Sequence, residues 1–252
     1  MIVRKPLVAG NWKMNGTREG SVEIASSVSS AAPFRCEVVV IPPVIYMHAL
    51  SDVLKKECVL MGAQNVNPFE RGAHTGEVSA SMISEFGCSY CLVGHSERRM
   101  SYGDSNRKVL AKFEALLKHQ IKPILCVGET EEQRNSGHTV QVVSEQLKAV
   151  LDFFPPDDLA NAVIAYEPVW AIGTGESASP RAAGEVHANI RDIISEKDQD
   201  LADTIRILYG GSVNPSNAAA LMSEVEIDGA LVGGASLSST DFVKICKLAG
   251  EN

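Results

Sequence analysis

The chain has 252 residues, of which 45% are hydrophobic, and its formal net charge is −8. This length fits one large α/β barrel or two smaller domains, and the hydrophobic content is enough for a sizeable core. The acidic balance argues against a general nucleic-acid or acidic-membrane surface, but it leaves room for a local basic pocket. The first residues show no secretory signal and no apolar run is long enough to span a bilayer, so we expect a cytoplasmic protein.

Short apolar runs recur along the chain, and each ends in small or polar residues. Eight such runs end at residues 10–13, 42–43, 62–65, 94–97, 126–129, 166–168, 209–212 and 233–236. Near-continuous apolar runs are typical of parallel strands that are buried on both faces.

Between several of these runs, apolar residues recur with helical spacing. The predicted helix faces comprise Val109, Phe113, Leu116 and Leu117; Val140, Val143, Leu147 and Val150; and Val186, Ile190 and Ile193. Strands that alternate with helices indicate a parallel sheet with right-handed crossovers. Eight such units without a linker predict one α/β domain over residues 1–252, a (β/α)8 barrel.

The sixth run places a lone carboxylate, Glu167, directly before Pro168. Proline cannot donate to a sheet ladder, so the strand should stop there. The next residues, 169–172, are apolar although they follow the strand, and the glycines of 173–175 come after them. This pattern favours a catalytic carboxylate followed by a mobile lid. Ser179-Pro180 then predicts an N-cap and the first residue of a helix.

In barrels of this kind the site lies at the carboxyl ends of the strands. After the first strand, Trp12 should pack inward, which turns Asn11 and Lys13 towards a cavity. By itself Lys13 is also compatible with a solvated turn. In a cavity, its compact charge suits a phosphate or a developing oxyanion.

After the fourth strand, a helix that begins just beyond His95 would aim backbone N–H groups at the imidazole and favour its neutral form. Such a ring can donate a hydrogen bond and shuttle protons, although a buried structural histidine is the alternative. The other histidines have no comparable context and are assigned structural or surface roles. Glu97 and Arg98 fit either a pair behind the site or a solvated ion pair.

Glycine pairs follow the seventh and eighth strands, at Gly210-Gly211-Ser212 and at Gly233-Gly234. Each glycine pair alone is weak support for a phosphate site, because glycine often serves a tight turn. The loops after these two strands commonly bind phosphate in barrels, where glycine lets the backbone approach the anion.

Cys88 and Cys91 match the C-x-x-C pattern of redox and zinc sites. No second pair of cysteines or histidines completes a four-ligand set. We therefore favour a structural interpretation, in which Cys88 ends a helix and Cys91 lies in the next strand.

Several strand-end motifs together are similar to those of one family. They are Gly-Asn-Trp-Lys-Met-Asn at 10–15, Gly-His-Ser-Glu-Arg-Arg at 94–99, Ala-Tyr-Glu-Pro-Val-Trp-Ala-Ile-Gly-Thr-Gly at 165–175, Tyr-Gly-Gly-Ser at 209–212 and Leu-Val-Gly-Gly-Ala-Ser at 231–236. Over the whole chain, this set resembles the triosephosphate isomerase family, whose fold is the TIM barrel.

The resemblance implies interconversion of dihydroxyacetone phosphate and D-glyceraldehyde 3-phosphate, with no cofactor or metal. It makes Glu167 the base that moves a proton between two carbons, and His95 the group that polarises the carbonyl and shuttles protons between oxygens. Lys13 and Asn11 would bind the substrate and stabilise the enediolate charge. Glu97 would be a supporting carboxylate of this catalytic set.

The resemblance also implies a phosphate site and a lid. The backbone of Gly173, Ser212, Gly233 and Gly234 would bind phosphate, and Ile172 with Leu231 would clamp Glu167 in a dry site. The implied lid consists of Pro168, Val169, Trp170, Ala171, Ile172, Gly173, Thr174, Gly175 and Glu176.

The family is usually dimeric. Residues 72–77 resemble the loop that enters the partner subunit, which would place Thr75 near the partner's Asn11 and Lys13. The chain departs from the family pattern at Glu176, where lysine is common, at His74, where an aromatic residue is common, and at Asp104, where glutamate is common.

Two other functions stay open at this point. One is another phosphosugar-processing barrel, against which the positions of Lys13, His95 and Glu167 argue. The other is a barrel that binds partners without catalysis, which should have lost the base or the lysine.

Overall fold

The computed structural model describes residues 4–54, 58–172 and 177–251. Within these ranges, eight parallel strands form a closed barrel in which each strand pairs with its neighbours in sequence and the last pairs with the first. The strands are β1 (Leu7–Asn11), β2 (Glu37–Ile41), β3 (Leu60–Ala63), β4 (Cys88–Val93), β5 (Lys122–Val127), β6 (Val163–Tyr166), β7 (Arg206–Tyr209) and β8 (Gly229–Val232). The predicted (β/α)8 barrel, the TIM barrel, is therefore confirmed.

Helices connect the strands and cover the barrel. They are α1 (Arg18–Ser30), α2 (Met47–Val53), α3 (Ala80–Glu85), α4 (Ser96–Ser101), α5 (Asn106–Lys118), α6 (Glu131–Asn135), α7 (Thr139–Leu151), α8 (Pro156–Leu159), α9 (Pro180–Ser195), α10 (Gln199–Thr204), α11 (Ala218–Met222) and α12 (Ser239–Ala249). Short 3₁₀ helices occur at Val44–Tyr46, Val169–Ala171 and Gly234–Leu237. None of the helices in the described ranges is both long and apolar enough to cross a membrane.

The core has two layers, because successive strand residues point to opposite faces. In β6, Val163 and Ala165 belong to the cluster inside the barrel, whereas Ile164 and Tyr166 pack in the layer between barrel and helices. Trp12 is buried in this outer layer, as the sequence predicted.

Most predicted helix faces are confirmed. Val109, Phe113 and Leu116 of α5 are buried, as are Val143, Leu147 and Val150 of α7 and Ile190 and Ile193 of α9. Leu117 and Val186 are partly buried. The expectation for Val140 is wrong, because this residue lies in the first turn of α7 and is 47% exposed.

The cysteine interpretation needs one correction. Cys88 is the first residue of β4 and does not end a helix, because α3 ends at Glu85 and Gly87 then turns the chain with a φ of +76°. Burial raises the pKa of the Cys88 thiol to about 12 and that of Cys91 well above its usual value. Both cysteines are buried free thiols, which supports their structural role.

Candidate active site

The chain turns sharply after β1 and projects Lys13 into the mouth of the barrel. Lys13 has a φ of +52°, which is uncommon for a residue other than glycine. Its backbone is held from both sides: its N–H donates to Asn11 Oδ1 at 3.0 Å, and Gln64 Nε2 donates to its carbonyl at 2.7 Å. Gln64 is a supporting residue that the sequence reasoning missed, although it lies in the polar ending of the third run.

The Lys13 ammonium pairs with a carboxylate from a different strand end. Lys13 Nζ lies 2.6 Å from Glu97 Oε1. Arg98 pairs elsewhere, since its Nε donates to Asp104 Oδ2 at 3.0 Å. Both sequence interpretations of Glu97 and Arg98 were therefore wrong, because the two side chains contact different partners.

His95 caps the N-terminus of α4, so the predicted helix start is confirmed. Its Nδ1 accepts a hydrogen bond from the backbone N–H of Glu97 at 3.3 Å. An accepting Nδ1 carries no proton, so the ring is neutral and its proton is on Nε2. Nε2 lies 3.0 Å from Glu167 Oε1.

Glu167 is almost fully buried directly after β6, where the strand was predicted to stop. Its second carboxylate oxygen, Oε2, accepts from the backbone N–H of Ser96 at 2.8 Å. The carboxylate thus contacts two consecutive residues, His95 and Ser96, at the start of α4.

Two glycines make room for Glu167. A Cβ atom at Gly128 would lie only 1.8 Å from the Glu167 carbonyl oxygen, and one at Gly210 would lie 2.9 Å from Glu167 Cγ. Real Cβ contacts are essentially never this short, so both positions require glycine. Sequence reasoning did not assign either glycine this role, and their positions at strand ends were the available signal.

A cavity of about 440 Å³ opens in front of these groups. Its lining includes Asn11, Lys13, His95, Glu167, Ile172, Ser212, Leu231, Gly233 and Gly234. The structure therefore brings together the predicted catalytic residues, apart from Glu97, with the predicted phosphate residues that lie in its described ranges. Glu97 lines an adjoining cavity of about 310 Å³.

The glycine turn after β8 leaves open space. Among the described residues, a Cβ atom at Gly234 would meet no atom within 4 Å, and one at Gly233 would touch only Lys13 Cε, at 3.6 Å. Packing explains why Gly128 has no side chain, but it does not explain why position 234 is a glycine. An open glycine backbone beside a lysine can admit an anion closely.

Residues within the predicted lid and just beyond its end are anchored to neighbouring strand ends. Trp170 lies in the 3₁₀ helix Val169–Ala171, and its indole N–H donates to Glu129 Oε1 at 3.1 Å. The backbone N–H of Ala178 donates to the Tyr209 hydroxyl at 3.0 Å. The predicted lid and phosphate residues Gly173, Thr174, Gly175 and Glu176 lie outside the described residues.

The predicted dimer loop lies beside the second cavity. Thr75 is exposed, and the neighbouring Gly76 and Glu77 line that cavity together with Asn11 and Lys13. His74 stacks on Phe69 with ring centroids 4.7 Å apart and planes 6° apart, so it still supplies an aromatic ring.

Asp104 is buried and accepts from two cations. Lys112 Nζ lies 2.6 Å and Arg98 Nε lies 3.0 Å from the same oxygen, Oδ2. Lys112 also donates to Asn65 Oδ1 at 2.8 Å, which joins the end of β3 to α5. The shorter acidic side chain at 104 therefore keeps its arginine partner.

The fold and the site define a class of protein: a (β/α)8-barrel enzyme that joins a carboxylate and a neutral imidazole to a lysine and an open glycine turn. The family model described as triosephosphate isomerase matches residues 6–249. The chain belongs to the triosephosphate isomerase family, whose members are intramolecular isomerases of glycolysis and gluconeogenesis.

Individual relatives match over nearly their full length. The chain is 50% identical over 247 residues to the triosephosphate isomerase of Coxiella burnetii strain Dugway 5J108-111, covering 96% of each chain. It is 50% identical over 248 residues to that of Dechloromonas aromatica strain RCB, covering 98% of this chain and all of the relative. It is 48% identical over 251 residues to that of Pseudomonas putida strain W619, again covering 98% and 100%.

Proposed function

We propose that this chain interconverts dihydroxyacetone phosphate and D-glyceraldehyde 3-phosphate through an enediolate, using the side chains of the β1, β4 and β6 ends. The observation that supports this most directly is the 3.0 Å contact between His95 Nε2 and Glu167 Oε1 in one cavity with Lys13. Family membership supports the same reaction.

In this reaction Glu167 removes a proton from C1 of dihydroxyacetone phosphate and returns it to C2. His95 donates from Nε2 to the carbonyl oxygen at C2, and the oxygens at C1 and C2 exchange a proton through the ring. The C1–H electron pair becomes the C1–C2 double bond of the enediolate, then forms the new C2–H bond. No external oxidant or reductant is needed, because one carbon is oxidised as its neighbour is reduced.

Lys13 and Asn11 stabilise the negative charge that develops on the substrate oxygens. The Lys13 ammonium is held by Glu97 at 2.6 Å, so its position is set before the charge develops. The backbone of Ser212, Gly233 and Gly234 receives the phosphate in the open turn near Lys13. The chemistry uses no metal or cofactor.

A second part of the proposal is a homodimer. Large apolar side chains are exposed beside the second cavity: Met14 is 94% and Tyr102 is 65% exposed, and both line it. Exposed apolar patches of this kind mark protein interfaces. We place Thr75 of one subunit against the site of the other. The free thiols of the chain fit the reducing cytoplasm, where we place the reaction.

A coupled assay tests the proposed reaction. Purified protein should convert glyceraldehyde 3-phosphate into dihydroxyacetone phosphate, measured by NADH oxidation with glycerol-3-phosphate dehydrogenase. In deuterated water the product should acquire deuterium at carbon, because the proton on Glu167 exchanges with solvent. Absence of turnover from a folded protein would favour a non-catalytic barrel.

A further inference from the structure

His187 occupies a buried position behind the site. It belongs to α9 and is fully buried, and its ring contacts two tyrosines at neighbouring strand ends. Its ring centroid is 5.8 Å from that of Tyr166, with the planes at 87°, and 6.4 Å from that of Tyr209, with the planes at 36°. The mechanism above does not use this histidine.

The two tyrosine hydroxyls take part in the hydrogen bonds that fix the segment after β6. Tyr166 donates to Glu129 Oε1 at 3.1 Å, and Trp170 donates its indole N–H to the same oxygen. Tyr209 accepts from the backbone N–H of Ala178. The His187 ring therefore packs against both tyrosines that take part in these hydrogen bonds.

The same tyrosines directly precede the residues around the proposed base. Tyr166 is followed by Glu167 and Tyr209 by Gly210, and the strands pair Tyr166 with Tyr209. The Gly210 N–H donates to the Tyr166 carbonyl at 2.7 Å, and Gly210 lies closely against Glu167. A displaced tyrosine would therefore shift the backbone on which the carboxylate is mounted.

The His187 ring is itself fixed in orientation. Its Nδ1 lies 3.1 Å from the Glu226 carbonyl oxygen, and because a carbonyl only accepts, Nδ1 carries the proton. Nε2 has no hydrogen-bond partner within the described part of the chain. The ring thus contributes one orienting hydrogen bond and two aromatic contacts, which hold rings in preferred relative positions.

We propose that His187 is a positioning residue for the isomerisation: its ring, oriented by Glu226, holds Tyr166 and Tyr209 and through them the alignment of Glu167. This inference rests on the proposed function, because alignment matters only where Glu167 moves a proton. Misplacing a reacting group by about 1 Å can cost up to about 10²-fold in rate, so a modest shift is measurable.

Three variants separate positioning from general stability. His187→Leu removes the ring and His187→Phe keeps a ring between the tyrosines. Ile190→Val weakens the buried face of the same helix and leaves the His187 ring in place. For His187→Leu we expect kcat to fall about tenfold with KM within about twofold, since the interaction lost is one that aligns the transition state. His187→Phe should recover most of kcat, and Ile190→Val should keep kcat while lowering the melting temperature.

The rates are compared at a temperature at which circular dichroism shows every variant folded. Equal kcat values for His187→Leu and the unmodified protein would overturn the inference, as would equal losses in the leucine and phenylalanine variants. If His187→Leu does not fold, His187→Gln replaces it as the ringless variant, with the same expected result.

Tryptophan fluorescence tests the inference independently of the reaction. Trp170 shares its acceptor oxygen with Tyr166, so losing the His187 ring should red-shift its emission, whereas His187→Phe should leave the emission in place. Trp12, buried at the end of β1, serves as the internal reference. Unchanged emission in the ringless variant would overturn the inference, whether or not the unmodified protein is active. Inactivity of the folded, unmodified protein would instead refute the proposed function.

Discussion

His95 Nε2 lies 3.0 Å from Glu167 Oε1, although these residues come from the ends of β4 and β6. The carboxylate is also fixed by the backbone N–H of Ser96, the residue that follows His95. The start of α4 therefore holds the proposed base and the proposed proton shuttle in one arrangement. A substrate that contacts both side chains must therefore separate these two atoms, with its two reacting carbons near Glu167 and their oxygens near His95.

Replacing Glu167 tests the base. Glu167→Gln keeps the shape of the side chain and an oxygen for the Ser96 N–H, but its amide cannot take up a proton. Positioned general bases contribute about 10²–10⁴-fold, so we expect kcat to fall by at least that factor. The coupled assay measures kcat, and inhibition by inorganic phosphate should persist because the phosphate turn is untouched.

The control is Glu145→Gln, which removes a charge from an exposed residue of α7. It should keep the activity of the unmodified protein. Near-normal turnover by Glu167→Gln would reject Glu167 as the base.

The strand-end residues of the site were predictable because a parallel barrel gathers the carboxyl ends of its strands on one face. The apolar runs located the barrel, and the polar residues that end them located Lys13, His95 and Glu167. The proline after Glu167 indicated where β6 stops, and the structure ends the strand at Tyr166.

The pairing of side chains was less predictable, because barrel closure brings distant residues together. Lys13 and Glu97 are 84 positions apart, and no local pattern connects them. Conversely, residues that are adjacent in sequence do not always pair: Arg98 follows Glu97 but forms its ion pair with Asp104. His187 lies between Val186 and Ala188, and no local pattern indicated its role, because the rings that it contacts come from two other elements.

The open glycine turn gives a second prediction. Gly234→Ala adds a methyl group that meets no atom of residues 4–54, 58–172 or 177–251 within 4 Å, so the melting temperature should stay unchanged. The methyl group would occupy space that we assign to the phosphate. We expect KM to rise about tenfold, equivalent to about 1.4 kcal/mol of lost binding, with a smaller change in kcat.

Gly211→Ala is the matched comparison, because its Cβ would lie 2.2 Å from the Tyr209 hydroxyl oxygen. This variant should lower the melting temperature and kcat together. A KM for Gly234→Ala that equals that of the unmodified protein would place the phosphate elsewhere.

The proposed dimer gives a third prediction. Thr75 is exposed within one chain, so Thr75→Arg should not destabilise the folded subunit. In the proposed interface, an unpaired charge would be buried at a cost of several kcal/mol. We expect monomers with much reduced activity, measured by sedimentation velocity and the coupled assay on the same samples.

Thr240→Arg, which adds the same charge to an exposed residue of α12, should leave both assembly and activity unchanged. Full activity from a monomeric Thr75→Arg protein would show that the partner loop is dispensable.

The buried carboxylate of Asp104, in the loop between α4 and α5, gives a fourth prediction. Asp104→Asn removes the carboxylate that contacts the almost fully buried Lys112 at 2.6 Å, although burial already lowers the pKa of this lysine. Breaking a buried ion pair by removing one partner costs about 3–5 kcal/mol. We expect the free energy of unfolding to fall by about 3 kcal/mol, measured by urea denaturation at pH 7.

Asp104→Asn/Lys112→Met should recover part of that loss, because the unpaired charge is then gone. If the single variant is as stable as the unmodified protein, the ion pair contributes nothing to folding.

The last prediction concerns the pH dependence of stability through His187. Burial lowers the pKa of His187 to about 3; the Glu226 carbonyl opposes this shift and the Arg191 charge adds to it. The rings packed against it, Tyr166 and Tyr209, stay neutral under acidic conditions, since the usual pKa of a phenol is about 10 and burial raises both pKa values further.

The direction of the effect follows from proton binding. Between about pH 6.5, the usual histidine value, and about pH 3, the unfolded chain takes up a proton at this site that the folded chain rejects. Stability therefore falls as the pH decreases through this window, and this site has no effect above it. Each pH unit is worth about 1.4 kcal/mol, so two units below the usual value the loss is about 3 kcal/mol.

His187→Phe removes the titrating group and keeps the ring. Its free energy of unfolding should therefore fall less between pH 7.5 and pH 4.5 than that of the unmodified protein, by about 3 kcal/mol. Carboxylates lost on acidification affect both proteins alike and cancel in the comparison. Urea denaturation at pH 7.5, 6.5, 5.5 and 4.5 measures the two profiles, and parallel profiles would show that His187 is not held neutral by burial.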